Sequence, residues 1–201
     1  MKMKPSIVMT DLEEYVKLFN ISLSEEAMKT LLDVEKFAYR CDNPVNFKLL
    51  FSKVIRNSKI VQDVLIYKGA MPNLVALILE KDYYDSIDEV ARYQKDNDWY
   101  SQTFRRRNCE KTAVIDRALE YCVKDNRDLL ENTDIFLAAM DEYEKVLGQD
   151  GGVWTDKELN KEYITLSHVY GWYDKSLWVK FEDIREALKK FKKDNKRSKV
   201  A

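Results

Sequence analysis

The one histidine of the sequence, His168, limits the acid–base and nucleophilic chemistry that this chain can perform. A Ser-His-Asp triad or a Cys-His pair needs an imidazole to accept the proton of the nucleophile, so either mechanism would have to use His168. The histidine stands in Ile164–Gly171, an aromatic stretch that is typical of a helix end, where the helix dipole favours a cation. We therefore interpret His168 as a structural residue and predict that the chain is not an enzyme.

The cysteines and glycines do not have the spacing of a metal or phosphate site. The three cysteines contain no Cys-x-x-Cys pair, which zinc sites usually require, and they stand at Cys41, Cys109 and Cys122. The glycine cluster in residues 148–152 is not followed by the Lys-Ser/Thr pair of a phosphate-binding loop. We predict no metal and no cofactor.

Two basic clusters could bind nucleic acid. One follows aromatic residues and the other is rich in lysine, and the candidate residues are Arg105, Arg106, Arg107, Lys192, Lys193 and Lys196. Aromatic rings can stack on bases while arginines contact phosphates. The formal net charge of −1 argues against overall attraction to nucleic acid. The alternative is that the aromatic residues pack against the core and the charges remain solvated.

The elements that must position these residues form an internal repeat. Two stretches of the sequence each begin with a helix whose apolar residues have the spacing of a buried face, and a short apolar helix follows. Each stretch then has an aliphatic segment that ends at Gly69 or Gly171, and it closes on an amphipathic helix. Only five glycines and three prolines interrupt the chain, which favours helices joined by short turns. The pattern predicts an all-α fold of two pseudo-symmetric four-helix repeats, and repeated units usually form grooves for binding.

The sequence can be divided into five segments. We predict a leading helix in residues 1–21, a first repeat in 22–85, an aromatic-rich connector in 86–107, a second repeat in 108–191 and a basic tail in 192–201. Part of the connector continues a helical period, whereas residues 96–106 are predicted as a loop, and the tail is predicted to be frayed. Gly69 is placed to serve as a left-handed C-cap, and Pro72 is placed to begin the next helix.

The leading helix has an apolar face of its own. The spacing places Leu12, Tyr15, Val16 and Phe19 on one side of a short helix that ends near Asn20. This face could pack into a groove between the repeats, or it could leave that groove open. The sequence does not choose between the two.

Four segments of the sequence follow one another in the order found in a known family of helical domains. The opening helices in 23–38 and 111–119, the closing turn in 60–69 and the segment 131–139 resemble the amino-terminal (Clp repeat) domain of Hsp100/Clp unfoldases. The resemblance spans about residues 22–191 and implies the two-repeat fold. It departs from the family pattern at Phe47, in the Thr-Glu-His segment of the first repeat, and at Ile135, which stands at the histidine position of the second.

This resemblance implies a docking module for substrates or adaptors. In some members, acidic residues of the Thr-Glu segments bind phosphoarginine; Thr133 and Asp134 match one such segment, whereas Phe47 removes the acid from the other. The ATPase motif Gly-x-x-x-x-Gly-Lys-Ser/Thr is not found in these 201 residues. We therefore expect a free-standing relative that acts as an adaptor, an accessory subunit or a decoy. The glycine-poor composition, rich in lysine, asparagine and tyrosine, would suit a bacterium of low GC content or its phage.

The predicted partner is a protein: a Clp ATPase, an adaptor or a substrate peptide. We expect Trp172 and Tyr173 to face it, because they follow a turn glycine and aromatic residues dominate interface hot spots. Asp134 would select a basic partner, and Thr133 is predicted to contact the same partner. The alternative is a small nucleic-acid-binding accessory protein. Since no signal peptide or membrane-length apolar run is present, the sequence predicts a cytoplasmic location without membrane contact.

Overall fold

The computed structural model describes the backbone in five stretches: residues 12–41, 45–93, 97–149, 163–164 and 179–198. Side-chain surroundings are described for residues 12–41, 45–81, 83–84, 111–143 and 182–191. Helices account for 81% of the interpretable residues, which confirms the predicted all-α character.

Four helices follow the leading helix in the first half of the chain. Residues 12–17 form α1, and they are followed by α2 (Glu25–Cys41), α3 (Phe47–Asn57), α4 (Lys59–Tyr67) and α5 (Pro72–Tyr93). Polar side chains cap two of them: Ser24 Oγ accepts a hydrogen bond from the backbone N–H of Ala27, and Asn46 Oδ1 accepts one from the N–H of Leu49. Such a cap is worth about 1 kcal/mol because it satisfies an otherwise unpaired amide.

The turn between α4 and α5 forms as predicted. Gly69 has a φ of +83°, a left-handed conformation in which a Cβ is disfavoured, and it ends α4. The N–H of Ala70 donates to the carbonyl of Leu65, which satisfies one of the last helical acceptors. Helix α5 then begins at Pro72 and continues to Tyr93, beyond the predicted end of the first repeat at residue 85.

The loop predicted for residues 96–106 is wrong from residue 97 onward. Helix α6 spans Asn97–Lys124, so most of the predicted connector is helical. The physical reason is visible in the sequence, because no glycine or proline stands between Pro72 and Gly148 to end a helix. The prediction gave the cluster of aromatic and charged residues too much weight as a sign of irregular structure.

Two short strand pairs accompany the helices. Strand β1 (Ser22–Leu23) pairs in parallel with β2 (Leu129–Leu130), which connects α6 to α7 (Asn132–Gln149). Strand β3 (Tyr163–Ile164) pairs antiparallel with β4 (Val179–Lys180). The sequence placed Ile164 and Val179 in helical stretches, and both assignments are wrong. Their β-branched and aromatic surroundings favour extended backbone where a partner strand is available.

The last described helix, α8, covers Phe181–Ser198. The frayed tail predicted from residue 192 is therefore wrong for residues 192–198. Lysine is a good helix former, and cations near a helix C-terminus interact favourably with its dipole, so the basic composition does not end the helix.

The core is built from the apolar faces that the sequence identified. The spacing of the first opening helix predicts that Ala27, Leu31, Val34 and Ala38 face the core, and all four are buried. For the second opening helix the spacing predicts Ala113, Ile115, Ala118, Leu119 and Cys122. The last four are buried in α6, whereas Ala113 is only partly buried and its neighbour Val114 is buried instead. These faces belong to one continuous hydrophobic cluster that also includes residues of α3, α4, α5, α7 and α8.

Helix α3 lies at the centre of the packing. It contacts α2, α5 and α7, and its Phe51 ring meets Phe136 of α7 edge to face at 5.4 Å between centroids. Helix α6 packs on α7, and α8 packs on α4. Lys111 of α6 forms an ion pair with Glu35 of α2, which adds a polar contact between the two helices.

Candidate binding surfaces

Asp134, the acidic residue predicted to select a partner, lies inside the protein at the start of α7. Its carboxylate accepts two hydrogen bonds from the guanidinium of Arg127, at 2.8 Å and 2.9 Å, and a third from the backbone N–H of Glu131 at 2.9 Å. The hydrogen bond to Asp134 raises the pKa of Arg127 above its ordinary value, although burial opposes the shift. Asp134 thus joins the turn after α6 to the first turn of α7.

Thr133 is also buried, and within the described structure its Oγ1 has no hydrogen-bond partner. A partner that contacted Thr133 or Asp134 would first have to expose them, and it would have to displace Arg127 from the carboxylate. Partner binding through these two residues therefore stays a prediction. The structure gives both of them an internal position.

The other predicted site residues are described only in part. Trp172, Tyr173 and His168 lie outside the described residues. The arginines 105–107 lie in α6, and Lys192, Lys193 and Lys196 lie in α8, but their side chains are not among those described. The structure therefore places the two basic clusters on two different helices, α6 and α8.

An open groove lies between α1 and α6, and we call it the α1–α6 groove. It has a volume of about 460 Å³ and is lined by Tyr15, Phe19, Asp116, Leu119, Glu120, Val123 and Lys124. Its walls are largely apolar, and Val123 is 58% exposed on the α6 side. Large apolar side chains left at the surface around a concavity are typical of binding sites.

A hydrogen bond between the two walls fixes their relative position at one side of the groove. The hydroxyl of Tyr15 donates a 2.8 Å hydrogen bond to Asp116 Oδ1, and the Tyr15 and Phe19 rings meet edge to face at 5.6 Å. The hydrogen bond to Asp116 raises the pKa of Tyr15, because ionised tyrosine could not donate it. The charged lining residues are Asp116, Glu120 and Lys124, and Glu120 also forms an ion pair with Arg117 of the same helix.

The sequence identified the leading helix but not this groove. The predicted apolar face divides in the structure: Val16 is buried and Leu12 partly buried, whereas Tyr15 and Phe19 remain at the surface. The spacing contains the reason, since residues 12 and 16 form one row of an α-helix and residues 15 and 19 form the next. The first row packs on the body of the protein, which leaves the second to line the groove.

Among the described residues, no three histidine, cysteine or carboxylate side chains lie close enough together to hold a metal ion. None of the helices in the described stretches combines the length and the apolar character of a membrane span.

The chain was compared with known protein families, curated proteins and solved structures, and no match was found in any of the three comparisons.

Proposed function

We propose that this chain is a non-catalytic protein-binding module built like a Clp amino-terminal domain, and that it acts as an adaptor, accessory subunit or decoy of a Clp chaperone–protease system. A basic, apolar segment of the partner would bind in the α1–α6 groove. The open groove, with apolar walls and acidic lining residues, is the observation that carries the proposal.

The packing of the helices supports the proposed repeat. In the predicted scheme, α2 and α6 are the opening helices of the two copies and α3 and α7 are the second helices. Helix α2 packs on α3 as α6 packs on α7, and α3 packs on α7. The cross contacts also correspond, because α2 touches α7 and α3 touches α6. Exchanging the copies leaves this set of contacts unchanged, as pseudo-symmetric repeats would.

The charge of the groove supports a basic occupant. Asp116 and Glu120 are one turn apart on α6, so the two carboxylates lie along the same side of the groove. A partner segment with apolar side chains facing Leu119 and Val123 and a lysine or arginine facing the acids would satisfy both features. Electrostatic complementarity of this kind sets specificity and association rate, while the buried apolar contacts supply most of the affinity.

The proposal can be tested by affinity purification from native cytoplasm with a tagged chain, after nuclease treatment and at low and high salt. Recovery of a Clp ATPase, its protease or an adaptor that resists high salt is expected. Recovery of nucleic acid with its binding proteins, lost at high salt, would instead support the basic clusters and contradict the proposal. Recovery of proteins without any Clp component would also contradict it.

A pair of matched variants locates the contact. Val123→Lys places a cation in the groove, and Leu77→Lys makes the same change on α5, where Leu77 is 55% exposed and does not line the groove. We expect Val123→Lys to abolish recovery of the Clp component and Leu77→Lys to retain it. Equal recovery with both variants would show that the partner binds elsewhere.

A further inference from the structure

A second concave site lies between α2 and α3, away from the proposed groove, and we call it the α2–α3 pocket. It has a volume of about 350 Å³ and is lined by Asp33, Lys36, Phe37, Arg40, Lys53, Arg56 and Asn57. The four residues from α2 have the i, i+3, i+4, i+7 spacing of a single helix face, and the three from α3 have the matching i, i+3, i+4 spacing. Four of the seven side chains are cations.

Two of the cations are fixed by one carboxylate. Glu80 of α5 accepts hydrogen bonds from Lys53 Nζ at 2.6 Å and from Arg56 Nε and Nη2 at 2.9 Å each, and Ser52 Oγ donates a further bond to it. The Lys53 side chain is only 11% exposed, and its ammonium lies 3.8 Å from the centroid of the Phe37 ring. The cationic wall is therefore built in advance, since these side chains need no further ordering to meet a ligand.

Asp33, the one acid among the described lining residues, is also occupied. Asn57 Nδ2 donates a 3.1 Å hydrogen bond to Asp33 Oδ2, which joins the two helices at one end of the pocket. Counting Asp33 and Glu80 against the four cations leaves a formal charge of +2. This local excess stands out in a chain whose formal net charge is −1.

The remaining cations are available to a ligand. Lys36 and Arg40 are exposed, and neither forms an ion pair with any residue in the described stretches. They are four positions apart on α2, so both lie on the side that lines the pocket. The guanidinium of Arg56 uses Nε and Nη2 for Glu80, which leaves Nη1 outside that pair.

We infer that the α2–α3 pocket binds a phosphate monoester, with Lys36, Arg40 and Arg56 around the phosphate and Phe37 against the organic group. A phosphate monoester carries a charge between −1.5 and −2 at neutral pH, which matches the excess positive charge. Guanidinium groups bind phosphate oxygens through parallel hydrogen bonds. The pocket falls within the range of about 300–1,000 Å³ typical of small-ligand sites. It involves none of the residues that the Clp resemblance connects with phosphoarginine.

The test is a titration of the full chain with phenyl phosphate and with inorganic phosphate, each followed by backbone amide NMR and by calorimetry at constant ionic strength. We expect saturable amide shifts confined to the facing parts of α2 and α3. Tighter binding of phenyl phosphate indicates a phosphorylated molecule as the ligand. Equal binding of both anions would retain the phosphate site and overturn the role of Phe37. Absence of saturable shifts with either anion at millimolar concentration would overturn the inference.

Matched double variants separate a site from general charge attraction. Lys36→Ala with Arg40→Ala removes two charges from the pocket, and Lys17→Ala with Lys189→Ala removes two exposed charges elsewhere. We expect the first pair to weaken phenyl phosphate binding by roughly ten-fold or more, because charge-assisted hydrogen bonds are lost. The second pair should bind as the unmodified chain does. Equal weakening by both pairs would contradict the inference, and circular dichroism would verify that each variant is folded.

Discussion

Arg185 of α8 donates a 2.8 Å hydrogen bond to the carboxylate of Asp141 in α7, which also accepts a hydrogen bond from Tyr121 of α6. One carboxylate therefore connects three helices, two of which are adjacent in the chain and one of which follows much later. Burial and the bond to Asp141 both raise the pKa of Tyr121, so the phenol stays protonated and keeps donating across the physiological pH range. The last helix is thus attached to the body by a polar contact as well as by its apolar face.

Because α8 is attached through buried apolar side chains, we expect truncation of Leu188 to lower the free energy of unfolding strongly. This side chain is fully buried beside Ile184 and Ala187, and α8 packs against α4. We expect Leu188→Ala to lower the free energy of unfolding by about 2–5 kcal/mol, because it removes apolar contacts and leaves a cavity. The exposed neighbour Lys189→Ala should change it by less than about 0.5 kcal/mol. Urea denaturation followed by circular dichroism measures both, and similar values for the two variants would show that α8 does not stabilise the fold.

Removal of Arg127 should be costly because it takes away the bidentate partner of a buried carboxylate. Arg127→Met would leave the buried carboxylate of Asp134 without its bidentate partner, and we expect a loss of about 3–5 kcal/mol in the free energy of unfolding. The double variant Arg127→Met with Asp134→Leu removes the charge as well and should recover most of that loss. If the double variant is no more stable than Arg127→Met alone, the internal role of Asp134 is wrong.

The lowered pKa of Glu80 makes the free energy of unfolding depend on pH. Burial alone would raise its pKa, but the hydrogen bonds from Arg56, Lys53 and Ser52 reverse the effect, so its pKa in the folded chain lies below the ordinary 4.5. The stabilisation is therefore complete above about pH 4.5 and is lost as the pH falls through the folded-state pKa. We expect Glu80→Gln to cost about 1–3 kcal/mol at pH 7 and progressively less in acid.

The control for Glu80 is the exposed pair of Lys59 and Asp63. Asp63→Asn removes a 2.6 Å ion pair whose lysine is largely exposed, and such pairs contribute about 0–1 kcal/mol. Chemical denaturation from pH 3 to pH 7 should show a strongly pH-dependent difference for Glu80→Gln and a small one for Asp63→Asn. A difference for Glu80→Gln that stays constant with pH would exclude a depressed pKa.

Substitutions at Gly69 and Asn20 measure the conformational cost of a Cβ on left-handed backbone. Both have left-handed φ angles, +83° and +57°, and a Cβ at Gly69 would meet no atom within 4 Å. The cost of Gly69→Ala is therefore purely conformational, about 1–2 kcal/mol, whereas Asn20→Gly should be neutral or stabilising. Thermal unfolding would measure both. A stabilising effect of Gly69→Ala would contradict the left-handed turn.

The helices of the first half could be predicted closely from the sequence, and the candidate site could not. Local signals were sufficient at Gly69 and Pro72, because a C-cap and a first-turn proline depend on neighbouring residues alone. The α1–α6 groove forms because one of two adjacent apolar rows on α1 packs against the core and the other stays at the surface. The sequence of α1 does not indicate which row packs or which helix it packs against.

Charged and aromatic residues were the main source of difference between the sequence-based expectations and the structure. The aromatic, arginine-rich residues before Asn108 suggested a loop, yet the backbone is helical there because no residue breaks the helix. Asp134 was expected to contact a partner because it matches an acidic position of the Clp resemblance, and its burial depends on Arg127 in the preceding turn. The α2–α3 pocket was missed for a related reason. Its cations come from two helices and share Glu80 on a third, which only the packing reveals.

The parallel pair of β1 and β2 joins two segments that are synthesised at different times. Ser22 pairs with Leu129, so the pair cannot close until the second half has left the ribosome. At about 5–20 residues per second, Leu129 is added roughly 5–20 s after Ser22. During that interval α3 has been made but its Phe51 ring still lacks Phe136, so an apolar face of the nascent first half stays uncovered. The first half of the chain therefore presents apolar surface to other molecules for several seconds before α7 is made to cover it.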